Sequence, residues 1–328
     1  MKIRIATRKS KLALTQTRWV AARIRDAAPE VEVEEVHVVT RGDVILDKPL
    51  AAIGGKGLFI SEVEAIVSRG EADLAVHSLK DVPGDTPLAE GMAIVCVPKR
   101  EDPRDVLLSA TGASLADLGR GARVGTTSLR RMAQLRKSRP DLEFATLRGN
   151  VETRLGRLDE GRYDAIVLAA AGLKRLGLLE GRGYSVLDPE TCLPAVGQGT
   201  LAIEARMDDE RVRALLAPLE HAETRLRTEA ERAMLIALQG SCQVPIAGHA
   251  RISDDGMRLW LEGMVASIDG EQVLTATSES FLKSRDVDAR RAEAAALGEE
   301  VAKNLIDKGA RELMRQAEAT MARQQQSN

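Results

Sequence analysis

Apolar positions in the first hundred residues follow the rhythm of a doubly wound α/β layer. Ile3-Arg4-Ile5-Ala6 reads as a strand ending in polar Thr7-Arg8-Lys9-Ser10. Leu12, Ala13, Thr17, Val20 and Ile24 then fall on one side of a helix, with Ser10 as its N-cap. In such a layer ligands meet the carboxyl ends of the strands, and Arg8 stands at one. Val31-Glu32-Val33-Glu34 alternates and continues through Val36, Val38 and Val39 as a second strand. His37 lies inside it and reads as a packed or solvated strand residue. The segment from Thr40-Arg41-Gly42-Asp43 to Gly54-Gly55-Lys56-Gly57 is too long and glycine-rich for a simple connection. Loops of this kind tend to be lids or binding loops, and Lys56 between glycines could approach an anion, although this stretch alone reads equally well as a flexible surface loop. A helix is predicted from Phe59 to Arg69, closed by Gly70. Asp73-Leu74-Ala75-Val76-His77 is a strand that ends in Ser78, Lys80 and Asp81 before Pro83. Met92-Ala93-Ile94-Val95-Cys96-Val97 is a further apolar strand.

Arg100-Glu101-Asp102-Pro103-Arg104-Asp105 is charged and turn-rich, and a domain crossing is placed there. A second α/β pattern follows. Arg123-Val124-Gly125-Thr126 is a strand, and Thr127-Ser128-Leu129-Arg130-Arg131 opens a helix. Hydroxyls and unpaired N–H groups at a helix N-terminus favour anions. Two cations there oppose the helix dipole, a conflict that a bound anion relieves. Leu142 to Leu147 is a strand running into Arg148-Gly149-Asn150, with Asn150 as N-cap and Arg154 one turn in. Taken singly, each of these arginines reads as a solvated surface residue. Arg8, Arg130, Arg131, Arg148 and Arg154 all stand at or just after strand ends, and that recurrence points to a ligand with several anionic groups. Tyr163 to Lys174 weakly echoes Asp73 to Lys80, as two similar lobes facing across a cleft would. Pro194-Ala195-Val196-Gly197-Gln198-Gly199-Thr200 is the return crossing.

The remaining pattern is helix, three short strands near 246–250, 257–265 and 272–277, then two helices. The predicted fold class is therefore α/β: two doubly wound lobes plus a C-terminal α+β domain with a small antiparallel sheet. The first lobe is drawn as 1–97 with 198–216, the second as 98–197 and the third domain as 217–328.

Composition narrows the chemistry. The 328 residues are 44% hydrophobic and 29% charged, with net charge −2, ordinary for a globular protein and giving no sign of a nucleic-acid or membrane partner. Aromatic residues are 2%, which disfavours base-stacking platforms. Three distant cysteines exclude a disulfide framework and fit a reducing, cytoplasmic setting. The chain enters a strand at once, so no secretory signal is expected, and no run is apolar enough to span a membrane. Walker-type loops, dinucleotide fingerprints and metal-ligand spacings are not found, so no metal is expected.

One thiol stands apart. Met234, Leu235 and Leu238 mark a helix ending at Gly240, a left-handed C-cap candidate, and Pro245 prevents its resumption. Cys242 thus lies on a tight loop, whereas Cys96 and Cys192 read as structural. A lone cysteine is most often a small buried hydrophobe. A hydrolytic role would need a base such as His249, and no protease signature surrounds Cys242.

Several long stretches in the same order resemble the porphobilinogen deaminase (hydroxymethylbilane synthase) family. They are Arg4-Ile5-Ala6-Thr7-Arg8, Gly54-Gly55-Lys56-Gly57-Leu58-Phe59, Ala75-Val76-His77-Ser78-Leu79-Lys80-Asp81-Val82-Pro83, Arg100-Glu101-Asp102-Pro103-Arg104-Asp105, Val124-Gly125-Thr126-Thr127-Ser128-Leu129-Arg130-Arg131, Leu147-Arg148-Gly149-Asn150, Leu193-Pro194-Ala195-Val196-Gly197-Gln198-Gly199 and the Cys242 loop. The resemblance implies three domains: two periplasmic-binding-protein-like lobes, the second inserted into the first, and the α+β domain carrying the cysteine loop. It implies a dipyrromethane cofactor held by Cys242 through a thioether, and head-to-tail condensation of four porphobilinogen molecules with loss of ammonia. Hydroxymethylbilane is then released by hydrolysis, in tetrapyrrole (haem-type) biosynthesis. Cofactor contacts are expected from Ser78, Lys80, Asp81, Thr126 and Ser128, and from Arg130, Arg131, Arg148 and Gly149. Substrate contacts are expected from Arg8, Ser10, Arg148 and Arg154, with Lys56 and Phe59 on the lid. Asp81 is the expected catalytic carboxylate, and the chain is expected to be a monomer. The competing reading is a two-lobed sensor or binding protein for a small anion, which the third domain and its cysteine loop disfavour. A free, alkylatable Cys242 in active protein would instead favour the cysteine hydrolase.

Overall fold

The computed structural model describes residues 1–39, 58–240 and 244–326, without the side chains of 58, 59 and 324–326. It divides into two compact units, Met1–Glu101 with Thr200–Arg225, and Asp102–Gly199 with Leu226–Asn328.

The first unit holds β1 (Lys2–Arg8), α1 (Lys11–Ala27), β2 (Glu32–Val38), α2 (Leu58–Ser68), β3 (Leu74–Ser78), a 3₁₀ turn (Leu79–Asp81) and β4 (Met92–Cys96), then β10 (Leu201–Arg206) and α6 (Glu210–Leu216). The sheet order is β2-β1-β3-β10-β4, with β1 parallel to β2 and β3 and with β10 antiparallel to both its neighbours. Alternation along the strands sorts the core into two layers. Ile3, Ile5, Leu74 and Ile203 pack with Val20 and Ile24 of α1. Ala6, Ala75 and Met92 pack with Val63 and Val67 of α2. Helices on both faces explain why the central strand β3 opens as the unbroken apolar run Leu74-Ala75-Val76.

The second unit contains β5 (Asp105–Ser109), β6 (Arg123–Gly125), α3 (Leu129–Ser138), β7 (Glu143–Ala145), α4 (Val151–Asp159), β8 (Ala165–Ala169), α5 (Ala170–Leu176) and β9 (Tyr184–Leu187). Its sheet order is β7-β6-β8-β5-β9, again with the antiparallel crossing strand in fourth place. The weak sequence echo thus falls on β3 and β8, each third in its sheet. β5 lies where a charged crossing is predicted. It can begin at Asp105 because two buried arginines neutralise that carboxylate.

The same unit includes most of α7 (Ala222–Leu238), and β11 (Ile246–Ile252), β12 (Arg258–Ala266), β13 (Val273–Phe281), α8 (Val287–Asp307) and α9 (Ala310–Gln326). The antiparallel sheet β11-β12-β13 packs on these helices through Met234, Leu261, Leu297, Val301 and Leu305. Gly263 lets α7 lie close, since a Cβ there would stand 2.4 Å from Met234 Sδ. A second seam joins this sheet to α3. Ala133 and Leu193 cluster with Ala247, Met264 and Ala266. At the hairpin tip Gly270 has φ +79°, and its Cβ would lie 2.5 Å from the Ala133 carbonyl. The architecture is the α/β class that the residue pattern predicts, with two doubly wound lobes and an antiparallel α+β portion.

Candidate functional site

In the first unit, the end of β3 is built to push two charged residues outward. Leu79 and Val82 are 1% and 2% exposed and sit with Ile60 and Ala202 in a small apolar cluster. Leu79 N–H donates to the Thr200 carbonyl at 2.9 Å, and Val82 N–H to the Leu79 carbonyl at 3.1 Å. The intervening Lys80 is half-buried and Asp81 is exposed. Ser78 accepts a 3.0 Å hydrogen bond from Gln16 of α1. Arg8 ends β1, which pairs with β3 through Ala6 and Ala75. Ser10 caps α1, accepting from the Ala13 N–H at 3.3 Å.

In the second unit the predicted ligand groups separate into two kinds. Arg130 and Arg131 are 5% and 7% exposed and clasp Asp105, which is 0% exposed. Arg130 Nη2 lies 2.7 Å from Asp105 Oδ2, and Arg131 Nη2 lies 2.7 Å from Oδ1. Their other N–H groups reach the Leu193 carbonyl at 2.6 Å and the Val167 carbonyl at 2.9 Å. Burial alone would raise the Asp105 carboxyl, but the two guanidinium groups hold it well below the usual carboxylate range. Beside it, burial and then the Asp105 charge push the Cys192 thiol up to about 12, which makes it inert. Thr126 and Ser128 serve the backbone. Thr126 Oγ1 accepts from Ser128 N–H at 3.2 Å, and Ser128 caps α3 by accepting from Arg131 N–H at 3.4 Å.

The second kind faces outward. Arg148 and Gly149 are exposed, and Arg154 is half-buried in α4. Asn150 caps α4, accepting from Thr153 N–H at 2.8 Å. Gly149 has φ +105°, and a Cβ on it would lie 2.8 Å from Thr153 Cγ2, so a side chain is excluded twice over. Its carbonyl accepts from Arg154 Nε at 2.8 Å, and the Arg148 carbonyl accepts from Arg157 at 3.1 Å. The loop is thereby tied to its own helix.

Lys56 and Cys242 lie outside the described residues, and so does the side chain of Phe59. The helix before Cys242 ends differently from its prediction. Gln239, not Gly240, adopts a positive φ of 56°. Glycine is needed at 240 for space, because a Cβ there would come within 2.6 Å of Leu235 and Ile246. Asp105, at the centre of the arginine cluster, has no role predicted from the sequence. The available signal was an acid opening the wholly apolar run Val106-Leu107-Leu108.

The family description "Porphobilinogen deaminase, dipyromethane cofactor binding domain" matches residues 3–214, and "Porphobilinogen deaminase, C-terminal domain" matches residues 225–307. The chain belongs to the porphobilinogen deaminase family. Among solved structures, the ytmK extracellular-binding protein from Bacillus subtilis, ascribed to an amino-acid ABC transporter, overlaps 67% of this chain and 90% of its own, at 9% identity and TM-score 0.41. The VFT2 domain of Bordetella pertussis BvgS overlaps 72% and 92%, at 15% identity and TM-score 0.40. The strand orders, rather than these overlaps, define the lobes.

The cofactor of a porphobilinogen deaminase is a dipyrromethane, whose acetate and propionate arms make it a polyanion, and the donor set suits it. Asp105 balances only one of the two guanidinium charges at the N-terminus of α3, so that helix end keeps net positive charge. Arg148 and Arg154 add two cations at the N-terminus of α4. Among the described residues no cluster of His, Cys, Asp and Glu could hold a metal ion. Among the same described residues no helix is long and apolar enough to cross a membrane.

Proposed function

We propose that this chain is a hydroxymethylbilane synthase. It deaminates porphobilinogen, joins four units head to tail, and releases hydroxymethylbilane by hydrolysis for tetrapyrrole biosynthesis. The pair of consecutive family matches over 3–214 and 225–307 carries the reading. The three-domain division at 97/98, 197/198 and 216/217 belongs to the same proposal, as do a monomeric state and a cytoplasmic setting. Cys242 holds the cofactor as a thioether, a linkage that resists hydrolysis. When bound, the dipyrromethane supplies the pyrrole carbon to which the incoming unit is joined.

The chain's own residues divide the remaining work. Arg148 and Arg154 pair with acetate and propionate groups, and the Arg8 and Lys80 cations do the same at the strand ends of the first unit. Arg130 and Arg131 act from within the Asp105 cluster, by keeping the N-terminus of α3 in place and positive. Asp81, exposed on its pinned turn, is the carboxylate for a pyrrole N–H. Loss of ammonia from porphobilinogen leaves a cation on the substrate, and an adjacent carboxylate stabilises it. The same carboxylate manages the proton that leaves after coupling. Lys56 and Phe59 belong to the lid of this proposal.

The test is direct. Purified protein given porphobilinogen should release ammonia and hydroxymethylbilane, and Asp81→Ala should keep its cofactor while losing turnover by several orders of magnitude. Near-normal turnover in Asp81→Ala would remove Asp81 from the mechanism.

A further inference from the structure

Away from the strand ends, the first unit gathers three ionisable side chains in one place. α2 lies on the sheet through Ile60, Val63 and Val67. Glu64, four residues after Ile60, falls on the same face. Opposite it, Glu204 of β10 is 1% exposed and His77 of β3 is 8% exposed. His77 Nε2 and Glu204 Oε2 are 2.9 Å apart. Glu204 Oε1 is buried without a hydrogen-bond partner, and Glu64 lies near enough to Glu204 to feel its carboxyl. Glu64 Oε1 also accepts from the Ala89 N–H at 2.6 Å. Among the described residues, neither carboxyl forms an ion pair with Lys or Arg.

The other charged groups around α2 are spoken for. Arg206, also on β10, donates to the Val67 and Ala72 carbonyls at 2.6 and 3.1 Å and is held by Asp209 at 2.9 Å. Asp73, just before β3, is held by Arg4 of β1 at 3.3 Å and by Arg211 at 2.8 Å. On that face β1 otherwise carries Ala6, with Arg8 at its carboxyl end, and β4 is wholly apolar.

Two carboxyl groups facing one imidazole are compatible if one carboxyl keeps its proton. Burial first, and then contact with the Glu204 carboxyl and its charge, push the Glu64 carboxyl up to about 7, against the Ala89 N–H and His77, which lower it. His77 directly precedes Ser78, and Ile60 of α2 shares an apolar cluster with Leu79 and Val82. Anything that lifts α2 therefore disturbs the Leu79–Asp81 turn.

We infer that half-buried Glu64, packed over the buried Glu204–His77 pair, forms with them a clamp that seats α2 on its sheet and so positions the turn carrying Lys80 and Asp81. These are positioning residues, and the consequence for turnover rests on the role proposed above for Asp81. The folded protein keeps the Glu64 proton to a higher pH than the unfolded chain. The clamp is therefore complete below the ordinary glutamic acid range and is lost as pH rises through about 7.

The test uses the full chain, with Glu64→Gln and Glu204→Gln beside the wild type. Thermal midpoints and amide exchange of residues 74–82 are followed from about pH 5.5 to about pH 8.5, with kcat and KM over the same range. In the wild type the midpoint should fall, and exchange at the end of β3 should rise, as pH increases. Glu64→Gln keeps the shape without the charge, so both slopes should flatten, and kcat should hold on the alkaline side while KM stays unchanged. Glu204→Gln should make the slopes shallower without abolishing them, because burial of Glu64 remains the larger cause of its retained proton. A wild type with no slope, or variants that lower the midpoint equally at every pH and keep the slope, would overturn the clamp. The melting and exchange results do not depend on Asp81 chemistry. An active Asp81→Ala would thus defeat the functional reading without touching the clamp.

Discussion

Asp105→Asn should be among the most damaging isosteric changes available in the second unit. The carboxylate is fully buried, with Arg130 and Arg131 nitrogens each at 2.7 Å. It also accepts from Arg131 Nε at 3.1 Å and from Gln198 at 3.0 Å. Asparagine preserves the volume but removes the charge and turns one acceptor into a donor facing guanidinium N–H groups. Two buried cations are then left without compensation. Removing one partner of a buried ion pair costs about 3–5 kcal/mol. For a unit of roughly 200 residues, each kcal/mol shifts the melting midpoint by about 2–4 °C, so a fall of roughly 6–20 °C is expected. The pH dependence carries a sign. Because the folded carboxyl is held below its usual range, its stabilisation is present above about pH 4 and is lost as pH falls through the folded value. The variant should therefore lack part of the wild-type loss of stability in acid. Calorimetric melting of both proteins between about pH 3 and pH 8 measures both quantities. A midpoint within about 2 °C of wild type at neutral pH would refute the claim that Asp105 holds the arginine cluster together.

Other outcomes follow from the same geometry. Gly149→Ala should cost about 1–3 kcal/mol, from a positive φ and a clash with Thr153, and should weaken capture of anionic substrate, read as a raised KM. Gly270→Val should destabilise the seam between α3 and the antiparallel sheet, seen as a lower melting midpoint and faster amide exchange in α3. Cys96 and Cys192 should resist alkylation in the native protein at neutral pH, since both are buried and Cys192 is pushed up to about 12; mass mapping of alkylated peptides checks this. Arg148→Leu should raise KM for porphobilinogen and flatten its dependence on salt, because an exposed cation acts through screened electrostatics.

The hydrophobic pattern announces most of the fold because its central strands are sandwiched between helices, so the start of β3 and the whole of β8 appear as apolar runs, while β1 shows its buried side through the alternation of Ile3 and Ile5. β5 escapes that reading because its first residue is a charge, made tolerable only by arginines that lie 25 and 26 residues away in sequence. The candidate site is legible as a set of arginines at strand ends, but the role of each is not. Arg148, at a loop tip, and Arg131, inside a salt-bridge cluster, look alike in sequence, and only burial tells them apart. Ser10, predicted as a cap and a substrate contact, and Ser128, predicted as a cofactor contact, are both found capping helices, which a sequence alone does not separate from ligand donation. Glu64 falls on the apolar stripe of its helix, and nothing local marks it as one side of a buried cluster, because Glu204 is 140 positions further along the chain.

The central claim, a dipyrromethane anchored on Cys242, is tested most directly by the intact mass of the purified protein beside its Cys242→Ala variant. A wild-type excess equal to two pyrrole units, mapped to the peptide containing Cys242 and missing from the variant, is the expected result. A wild-type mass equal to the bare sequence in enzyme that turns over porphobilinogen would contradict it.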